Sequence, residues 1–389
     1  MSDPDISLLM YSPLSLRMGA GGDRWLAEVA PRLKKRGINP SVAATDFIAR
    51  GYRRSATNWY VDKLLNAGIE YNETKSWRFF HGANLPVLTP ESLRQLSRRM
   101  AGSDVTYFMN AYALQDVTIQ IAKFLANDSK VISAQHASIF QHSKMHNLYI
   151  RLITRNTLHA FNAYHVLNED DYLQYRRWGL DRVFMVPDGV DTKRFVATPS
   201  KDQSEFRALF VGRLDYQKGV DTLLEAFIHL EQDAPRINVY VCGTGPMREV
   251  VERFAEKHDR FHYLGYVPDD ELLSQYKSAS LFLMPSRREA FGLVGLEAMA
   301  SGTPIVASNI PGPRSFVKND FGSLIPPSDA AALAKATRRF YRLFVDDREK
   351  WRMMSADARD LCVREYDWER VVDKLSYMIR EVAGKRHKL

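Results

Sequence analysis

The sequence is poor in cysteine and in long apolar runs, and each shortage excludes a class of protein. Its 389 residues include only two cysteines, Cys242 and Cys362, which excludes a disulfide framework or a cysteine zinc site and favours a reducing compartment. The apolar run Ile6–Tyr11, which follows Asp3 and Asp5, is too short for a membrane span or a signal peptide. Common nucleic-acid-binding motifs are also missing. We therefore expect a cytoplasmic protein without a nucleic-acid partner.

The positive charge is concentrated in the first half of the chain. The net charge is +8; residues 1–188 hold 23 Lys and Arg against 17 Asp and Glu (+6), and the rest holds 31 against 29 (+2). A basic half of a chain can attract anionic lipid or phosphorylated substrates. Taken alone, however, the charge favours the simpler interpretation that it keeps the protein soluble. Arg50, Arg53 and Arg54, followed by Trp59, fit either a membrane-surface element or an ordinary surface helix docked on the core. A peripheral contact at the inner membrane face therefore stays open.

Short apolar runs alternate with amphipathic stretches, and the pattern restarts after Pro187. This alternation predicts parallel sheets with helices on both faces, in two doubly wound α/β domains at 1–187 and 188–365. In such sheets ligands bind outside the carboxyl ends of the strands, and two such domains are expected to face a cleft. The predicted strands are Ile6–Tyr11, Pro40–Thr45, Val105–Met109, Lys130–Ala134, His165–Leu167 and Val183–Val186, then Ala208–Val211, Asn238–Cys242, His262–Leu264, Leu281–Met284 and Pro304–Ala307.

Two cations stand five residues apart in a loop that follows one predicted strand. The strand ends at Val211-Gly212, and Arg213 and Lys218 precede a predicted helix that starts at Gly219. Such a loop lets the backbone approach a diphosphate, to which Arg and Lys donate charge-assisted hydrogen bonds. Taken alone, the pattern fits two solvated surface cations equally well.

Two glutamates lie eight positions apart across the start of another predicted helix. Glu289 is expected in the loop beyond the strand that ends at Met284, and Gly292 is expected to open the helix that carries Glu297. Free N–H groups at a helix start bind anions, and a carboxylate one turn later can hold two ribose hydroxyls. The alternatives are a solvent contact for Glu289 and a helix-dipole or salt-bridge role for Glu297. The conjunction with the loop 213–218 favours ligand binding.

These two segments resemble the signature of the family 4 glycosyltransferases, retaining enzymes with the two-Rossmann GT-B architecture. That signature is a Gly-Arg…Lys-Gly loop, followed by two glutamates separated by seven residues within a Glu-x-Phe-Gly stretch. Asp188 stands where the family usually has Asn. The resemblance covers most of residues 183–370, with further matches in order at Val186–Asp191, Gly243–Pro246, Gly265–Val267, Ser301–Pro304, Pro311-Gly312, Gly322…Pro327 and Asp367-Trp368.

The resemblance implies a nucleotide-sugar site in the second domain. It implies that Arg213, Lys218 and the helix start at Gly292 neutralise the donor diphosphate. It also implies that Glu297 holds the ribose and that Glu289 contacts the transferred sugar. The remaining donor-binding residues that it implies are Gly245, Tyr266, Val267, Phe291 and Leu293.

The first half matches the family more weakly. Gly21-Gly22 before a helix expected at 24–36 resembles the loop whose backbone faces the donor phosphates, and His136 resembles the active-site histidine at a strand end. Ala137 stands where the family more often has Asp, so the usual aspartate partner of His136 is missing. A hydrogen bond in a crowded cleft is the alternative for His136, although the strand-end position favours the functional role. The resemblance further implies that the C-terminal helix, 366–389, packs back on the first domain.

The predicted reaction is retaining transfer of a hexosyl group from a UDP- or GDP-sugar to a hydroxyl of a glycan, lipid-linked or small-molecule acceptor. His136, Glu289, Arg213 and Lys218 are the expected catalytic residues. Because two cations neutralise the leaving group, no metal and no cofactor are expected. The alternatives are a glycoside hydrolase with paired carboxylates, a phosphorylase on similar domains, or a binding module without catalysis. The sequence does not distinguish a monomer from an oligomer.

Overall fold

The computed structural model describes residues 6–18, 21–48, 58–77, 87–110, 115–127, 129–137, 144–197, 205–233 and 236–385. The chain divides into two compact units, one of residues 1–187 with 369–389 and the other of residues 188–368. Each unit has its own parallel sheet. The predicted α/β fold with two parallel sheets is therefore confirmed. Among the described helices, none combines the length and the apolar character needed to cross a membrane.

The first unit is built on a seven-stranded sheet. Its strands are β1 (Ile6–Ser12), β2 (Ile38–Thr45), β3 (Tyr71–Thr74), β6 (Val105–Asn110), β7 (Val131–Gln135), β8 (Ala163–Val166) and β9 (Val183–Met185), with a separate antiparallel pair of β4 (Ser76–Trp77) and β5 (Val87–Leu88). The sheet order is β3-β2-β1-β6-β7-β8-β9, and every pairing in it is parallel. The central strands are mostly apolar and almost entirely buried, as expected for a sheet covered on both faces.

The helices of the first unit mostly follow their strands. They are α1 (Gly21–Lys34), α2 (Trp59–Asn66), α3 (Pro90–Ala101), α4 (Gln115–Leu125), α5 (Lys144–Tyr149), α6 (Arg155–Thr157) and α7 (Glu169–Arg177). A π-helical turn, Ile150–Thr154, joins α5 to α6, and a 3₁₀ turn, Leu158–Ala160, follows. Helix α1 begins at Gly21 and not near residue 24, so Gly21 and Gly22 form its first turn; the prediction that they lie in a preceding loop is wrong.

The second unit repeats the architecture with a six-stranded sheet. Its strands are β10 (Phe206–Val211), β11 (Ile237–Cys242), β12 (Phe261–Gly265), β13 (Leu281–Met284), β14 (Ile305–Ser308) and β15 (Gly322–Ile325), in the parallel order β12-β11-β10-β13-β14-β15. Its helices are α8 (Val220–Asp233), α9 (Arg248–Ala255), α10 (Asp269–Ser278), α11 (Leu293–Ala300), α12 (Pro311–Phe316), α13 (Ala330–Asp346) and α14 (Arg348–Leu361), followed by a π-helical turn, Cys362–Tyr366.

The last helix, α15 (Trp368–Ala383), lies almost entirely in the first unit. Arg36 Nε donates to the Asp373 carboxylate at 2.7 Å, and Arg32 Nε donates to Glu369 at 3.1 Å. Both arginines belong to the end of α1 or the turn beyond it, so ion pairs hold α15 beside α1. The buried stripe of α15 includes Val372 and Ile379, which are spaced at whole helical turns.

Candidate functional site

The cationic loop and the loop of Glu289 follow two adjacent strands of the second sheet. Strands β10 and β13 are neighbours, and the chain order of the sheet reverses between them. The loops at their carboxyl ends diverge at such a switch point and leave a crevice, which is where open α/β sheets bind ligands. The structure thus brings the segments 212–219 and 285–292 to one edge of the sheet, although 65 or more residues separate them in the chain.

Glycines allow the loops at this edge to approach one another closely. Gly219 has φ +71°, and a Cβ atom there would lie 2.0 Å from the carbonyl oxygen of Pro285. At Gly243, with φ +137°, a Cβ atom would lie 1.9 Å from the carbonyl oxygen of Gly212. Only glycine combines this backbone conformation with such contacts. The predicted residue Gly245 is equally confined, since its Cβ would meet Leu214 backbone atoms at 2.5 Å.

An ion pair joins two of the predicted catalytic residues. Lys218 Nζ contacts the Glu289 carboxylate, and the Ser286 hydroxyl donates to the same carboxylate oxygen at 3.1 Å. Arg213 forms an ion pair with Asp215, whose carboxylate also accepts the backbone N–H of Lys218 at 2.9 Å. Both cations remain partly exposed, with about a quarter of each side chain accessible. Their charges are therefore oriented by carboxylates and still open to solvent.

The start of α11 provides a second positive feature of this edge. Gly292 is the N-cap with φ +114°, and a Cβ there would lie 2.4 Å from Met284 Cε. The first turn of α11 carries no acidic residue, so its free N–H groups and the helix dipole are not neutralised from within the helix. Phe291 is buried and Leu293 is half-buried, which anchors the turn. This arrangement suits an anion.

Glu297 lies in the core of the second unit and not on its surface. Its side chain is 2% exposed, and its carboxylate accepts a hydrogen bond of 2.8 Å from the Tyr276 hydroxyl of α10. Tyr276 was not predicted as a site residue, because nothing local to Glu297 indicates a partner 21 residues earlier. The ribose-binding role of Glu297 stays a prediction.

Tyr266 and Val267, the predicted base-lining residues, lie beyond β12. Tyr266 is 72% exposed and Val267 is half-buried. The strand β12 ends at Gly265, whose carbonyl accepts the Gly243 N–H at 2.7 Å. A backbone hydrogen bond thus links the loops after β11 and β12, and the exposed Tyr266 directly follows it in the chain.

Asp188 is a buried carboxyl that sequence analysis noted as a departure but did not assign to the site. Its side chain is 7% exposed, and its Oδ1 has no hydrogen-bond partner among the described residues. Burial raises the pKa of Asp188 to about 7, and the negative charge of Glu289 adds to the shift. Glu289, which is paired with Lys218, is therefore close enough to Asp188 for the two carboxylates to repel each other.

In the first unit, His136 lies directly beyond β7 and is linked through Tyr107 to His165. The Tyr107 hydroxyl is 2.7 Å from His136 Nε2 and 2.5 Å from His165 Nδ1. His165 Nε2 lies 2.8 Å from the carbonyl oxygen of Val186. The Trp25 ring packs against His136 at a centroid distance of 4.5 Å and stacks on Tyr107 at 5.3 Å. Trp25, Tyr107 and His165 were not among the residues predicted for this site.

This hydrogen-bond chain determines the tautomers of both histidines. A carbonyl oxygen only accepts, so His165 Nε2 carries the proton and its Nδ1 accepts from Tyr107. The Tyr107 hydroxyl then accepts from His136 Nε2–H, which leaves His136 Nδ1 as an acceptor. Burial lowers the pKa of His136 well below its ordinary value, with repulsion from His165 adding to it, and burial lowers the pKa of His165 to about 4. Both rings are neutral at pH 7, and Tyr107 orients His136 as an aspartate would.

Replacing Tyr107 by phenylalanine is expected to lower kcat by about tenfold or more, because His136 loses the hydroxyl that fixes its tautomer. The matched control is Tyr164→Phe, which removes a buried hydroxyl bonded at 2.6 Å to the Leu158 carbonyl in the same unit. The loss of either hydroxyl should lower the free energy of unfolding by about 1–3 kcal/mol. Steady-state kinetics and thermal melting of both variants separate the effects. Equal kcat losses in the two variants would show that Tyr107 is only structural.

Comparison with known proteins identifies the second unit. Residues 191–381 match the family described as glycosyl transferases group 1. The chain carries a group 1 glycosyl transferase domain. The glycogen synthase of Mycobacterium tuberculosis is 31% identical over 198 residues, which is 50% of this chain and 47% of that protein. The phosphatidyl-myo-inositol mannosyltransferase of Mycobacterium leprae is 29% identical over 224 residues, 55% of this chain and 59% of the relative. The chain thus spans about half the length of the curated relatives that it matches.

Solved structures share the fold over nearly the whole chain. Anabaena HepE, solved with UDP and glucose, superposes with a TM-score of 0.74 at 18% identity and covers 95% of this chain and 98% of its own. A TarM mutant from S. aureus, solved with fondaparinux, a GlcNAc-glycerol and UDP, has a TM-score of 0.69 at 13% identity, with coverage of 96% and 99%. Together with the parallel sheets of the two units, this likeness confirms the GT-B fold that the sequence predicted.

Proposed function

We propose that this protein transfers a hexosyl group from a UDP- or GDP-sugar to an acceptor hydroxyl with retention of anomeric configuration. The observation that carries the proposal is the ion pair of Lys218 with Glu289 at the switch point of the second sheet. This pair supports the proposal because a cation suited to a phosphate lies directly beside a carboxylate suited to sugar hydroxyls. HepE, which shares the fold, was solved with UDP-glucose and with UDP and glucose, which supports a nucleotide-sugar donor.

In this proposal the leaving diphosphate is stabilised electrostatically. Arg213, Lys218 and the N–H groups at the start of α11 would neutralise the negative charge that builds on it. Asp215 orients Arg213, so less reorganisation is needed when the charge develops. Because these fixed positive groups would supply what a metal ion supplies elsewhere, we propose a metal-independent reaction.

The transferred sugar is proposed to contact Glu289 and His136. Glu289 would accept hydrogen bonds from sugar hydroxyls near the anomeric carbon. His136, a neutral ring whose Nδ1 is an acceptor, would accept from another hydroxyl. The backbone at Gly21 and Gly22 would donate to the phosphates, because these residues are the first turn of α1. Glu297 would hold the ribose.

The acceptor is proposed to be a glycan or a lipid-linked molecule in the cytoplasm. The name of the M. leprae relative gives phosphatidyl-myo-inositol as its substrate, and TarM was solved with sugar ligands. Both cysteines are free and buried, in keeping with a reducing compartment. A glycoside hydrolase is less consistent with the site, because its two carboxyls must flank the scissile bond, whereas Glu289 and Glu297 belong to one loop-helix segment after β13.

Thermal melting with UDP, GDP, ADP and CDP tests the donor site. A diphosphate at 100 times its Kd stabilises the folded state by about 2.7 kcal/mol, so one of the four should raise Tm by about 5 °C or more for a unit of this size. The shift should persist in EDTA and be smaller in the Lys218→Met variant. A shift that required magnesium would contradict metal independence.

Turnover separates an enzyme from a binding module. The sugar nucleotide of the base that binds should be consumed, and the anomeric configuration of the product, read by NMR, should match that of the donor. Inversion would refute the retaining mechanism. Binding without turnover of any sugar nucleotide, with glycan and lipid-linked acceptors supplied, would favour a module that has lost catalysis.

A further inference from the structure

Two neighbouring helical segments of the first unit expose large apolar side chains. Phe124 of α4 is 77% exposed, and Leu152, in the π-helical turn after α5, is 61% exposed. Burying such side chains is favourable, so a cluster of them at a surface indicates an interaction site. We call this the basic-apolar face; its apolar members are Phe124, Leu148, Leu152 and Ile153.

Partly buried hydrogen bonds hold the two segments side by side. The carboxylate of Asp116, in the first turn of α4, accepts from the Tyr149 hydroxyl at 2.6 Å. The Gln120 amide, one turn later, donates to the Thr157 carbonyl. Phe124 follows Gln120 by one further turn, so it lies on the side of α4 that faces the other segment. Phe124 and the exposed apolar residues of the second segment therefore lie on one face.

Among the described side chains of these two segments, the exposed charge is of one sign. Residues 144–160 contain Lys144, Arg151 and Arg155 and neither Asp nor Glu. Arg151 and Arg155 are exposed and one turn apart, and neither forms an ion pair with another described residue. Asp116, the only acidic residue of α4, is 1% exposed and satisfied internally. The face thus presents cations and apolar side chains together.

We infer that the basic-apolar face docks on the surface of an anionic phospholipid bilayer. Apolar side chains beside Arg enter the headgroup boundary while the cations contact lipid phosphates, and the two contributions add. A second copy of the chain is a poor occupant, because two such faces would bring like charges together. The inference does not depend on the proposed transfer reaction, since vesicle binding is measured without donor or acceptor.

This face differs from the membrane element that the sequence suggested. Arg50, Arg53 and Arg54 lie outside the described residues. In the part that is described, α2 turns Val61 and Leu64 into the core, as an ordinary surface helix does. Lys63 of α2 is ion-paired at 2.5 Å with Glu28, so its charge is engaged within the unit.

Co-sedimentation of the full chain with vesicles tests the inference. The protein should sediment with vesicles of phosphatidylglycerol and phosphatidylcholine and not with vesicles of phosphatidylcholine alone. The double variant Arg151→Glu/Arg155→Glu should bind about tenfold more weakly or worse, because each basic residue near an anionic surface contributes about 1 kcal/mol. Phe124→Ser/Leu152→Ser should also weaken binding, and all of these side chains are exposed, so melting should be unchanged.

Matched controls change the same chemistry on the second unit. Lys335→Glu/Arg342→Glu reverses two exposed cations of α13, and Val345→Ser/Met353→Ser removes two exposed apolar side chains. Both should bind vesicles as the parent chain does. Equal weakening by Lys335→Glu/Arg342→Glu would show that net charge and not this face drives binding. Failure of the parent chain to bind anionic vesicles, or dimerisation that Phe124→Ser/Leu152→Ser abolishes, would overturn the inference.

Discussion

Replacing Lys218 by methionine is expected to lower kcat by about 100- to 1000-fold, the loss typical when a preorganised charge that stabilises a transition state is removed. Methionine keeps most of the aliphatic length and removes only the ammonium group. Because the charge of the diphosphate grows as the sugar departs, kcat should fall more than KM rises. Initial rates with the donor identified by melting give both constants.

The ion pair with Glu289 provides a second test of the role of Lys218. Without Lys218, the Glu289 carboxylate, only 10% exposed, would lie unpaired near the buried Asp188. The effects of Lys218→Met and Glu289→Gln on kcat should therefore be strongly non-additive when the two changes are combined in one double variant. Lys257→Met, a change at an exposed lysine of the same unit, is the control and should leave kcat intact. A Lys218→Met variant within threefold of the parent rate would remove Lys218 from the catalytic residues.

The architecture could be predicted because its signals are local and repeated. The observed bounds of β13, Leu281–Met284, coincide with the predicted ones, since this strand is a short apolar run between turn residues. Strand β3, with the sequence Tyr-Asn-Glu-Thr, was missed because an edge strand need not be apolar. Helix α3 was also missed, although Thr89 as N-cap and Pro90 at its first position indicate where it begins.

The candidate site could be predicted only where its chemistry is encoded within one loop. Glycine and cation spacing identified the loop 212–219, and adjacent strands then placed Glu289 beside it. The partners that orient these residues come from distant strands and helices, as Tyr276 does for Glu297 and Tyr107 for His136. A weak signal existed for His165, a histidine inside the otherwise apolar strand β8. No sequence pattern could show that its Nε2 reaches the Val186 carbonyl.

Replacing Asp188 by asparagine is expected to stabilise the second unit above neutral pH. The pKa of Asp188 is about 7 in the folded protein and about 4 when unfolded. Between pH 4 and 7 the folded state therefore holds a proton that the unfolded state has released, and the free energy of unfolding falls as pH rises through this window. Above pH 7 the full penalty applies, about 4 kcal/mol for a three-unit difference.

The asparagine variant lacks this titration, so its advantage should depend on pH. Its melting temperature should exceed that of the parent by several degrees at pH 8 and approach it near pH 4.5, where the protonated carboxyl and the amide are nearly isosteric. Asp320→Asn, at an exposed position of the same unit, should show no such trend. A pH-independent difference between Asp188→Asn and the parent would mean that the carboxyl is already ionised at low pH. An ionised Asp188 would need a stabilising cation nearby. In the described surroundings, burial and the negative charge of Glu289 both disfavour its ionised form.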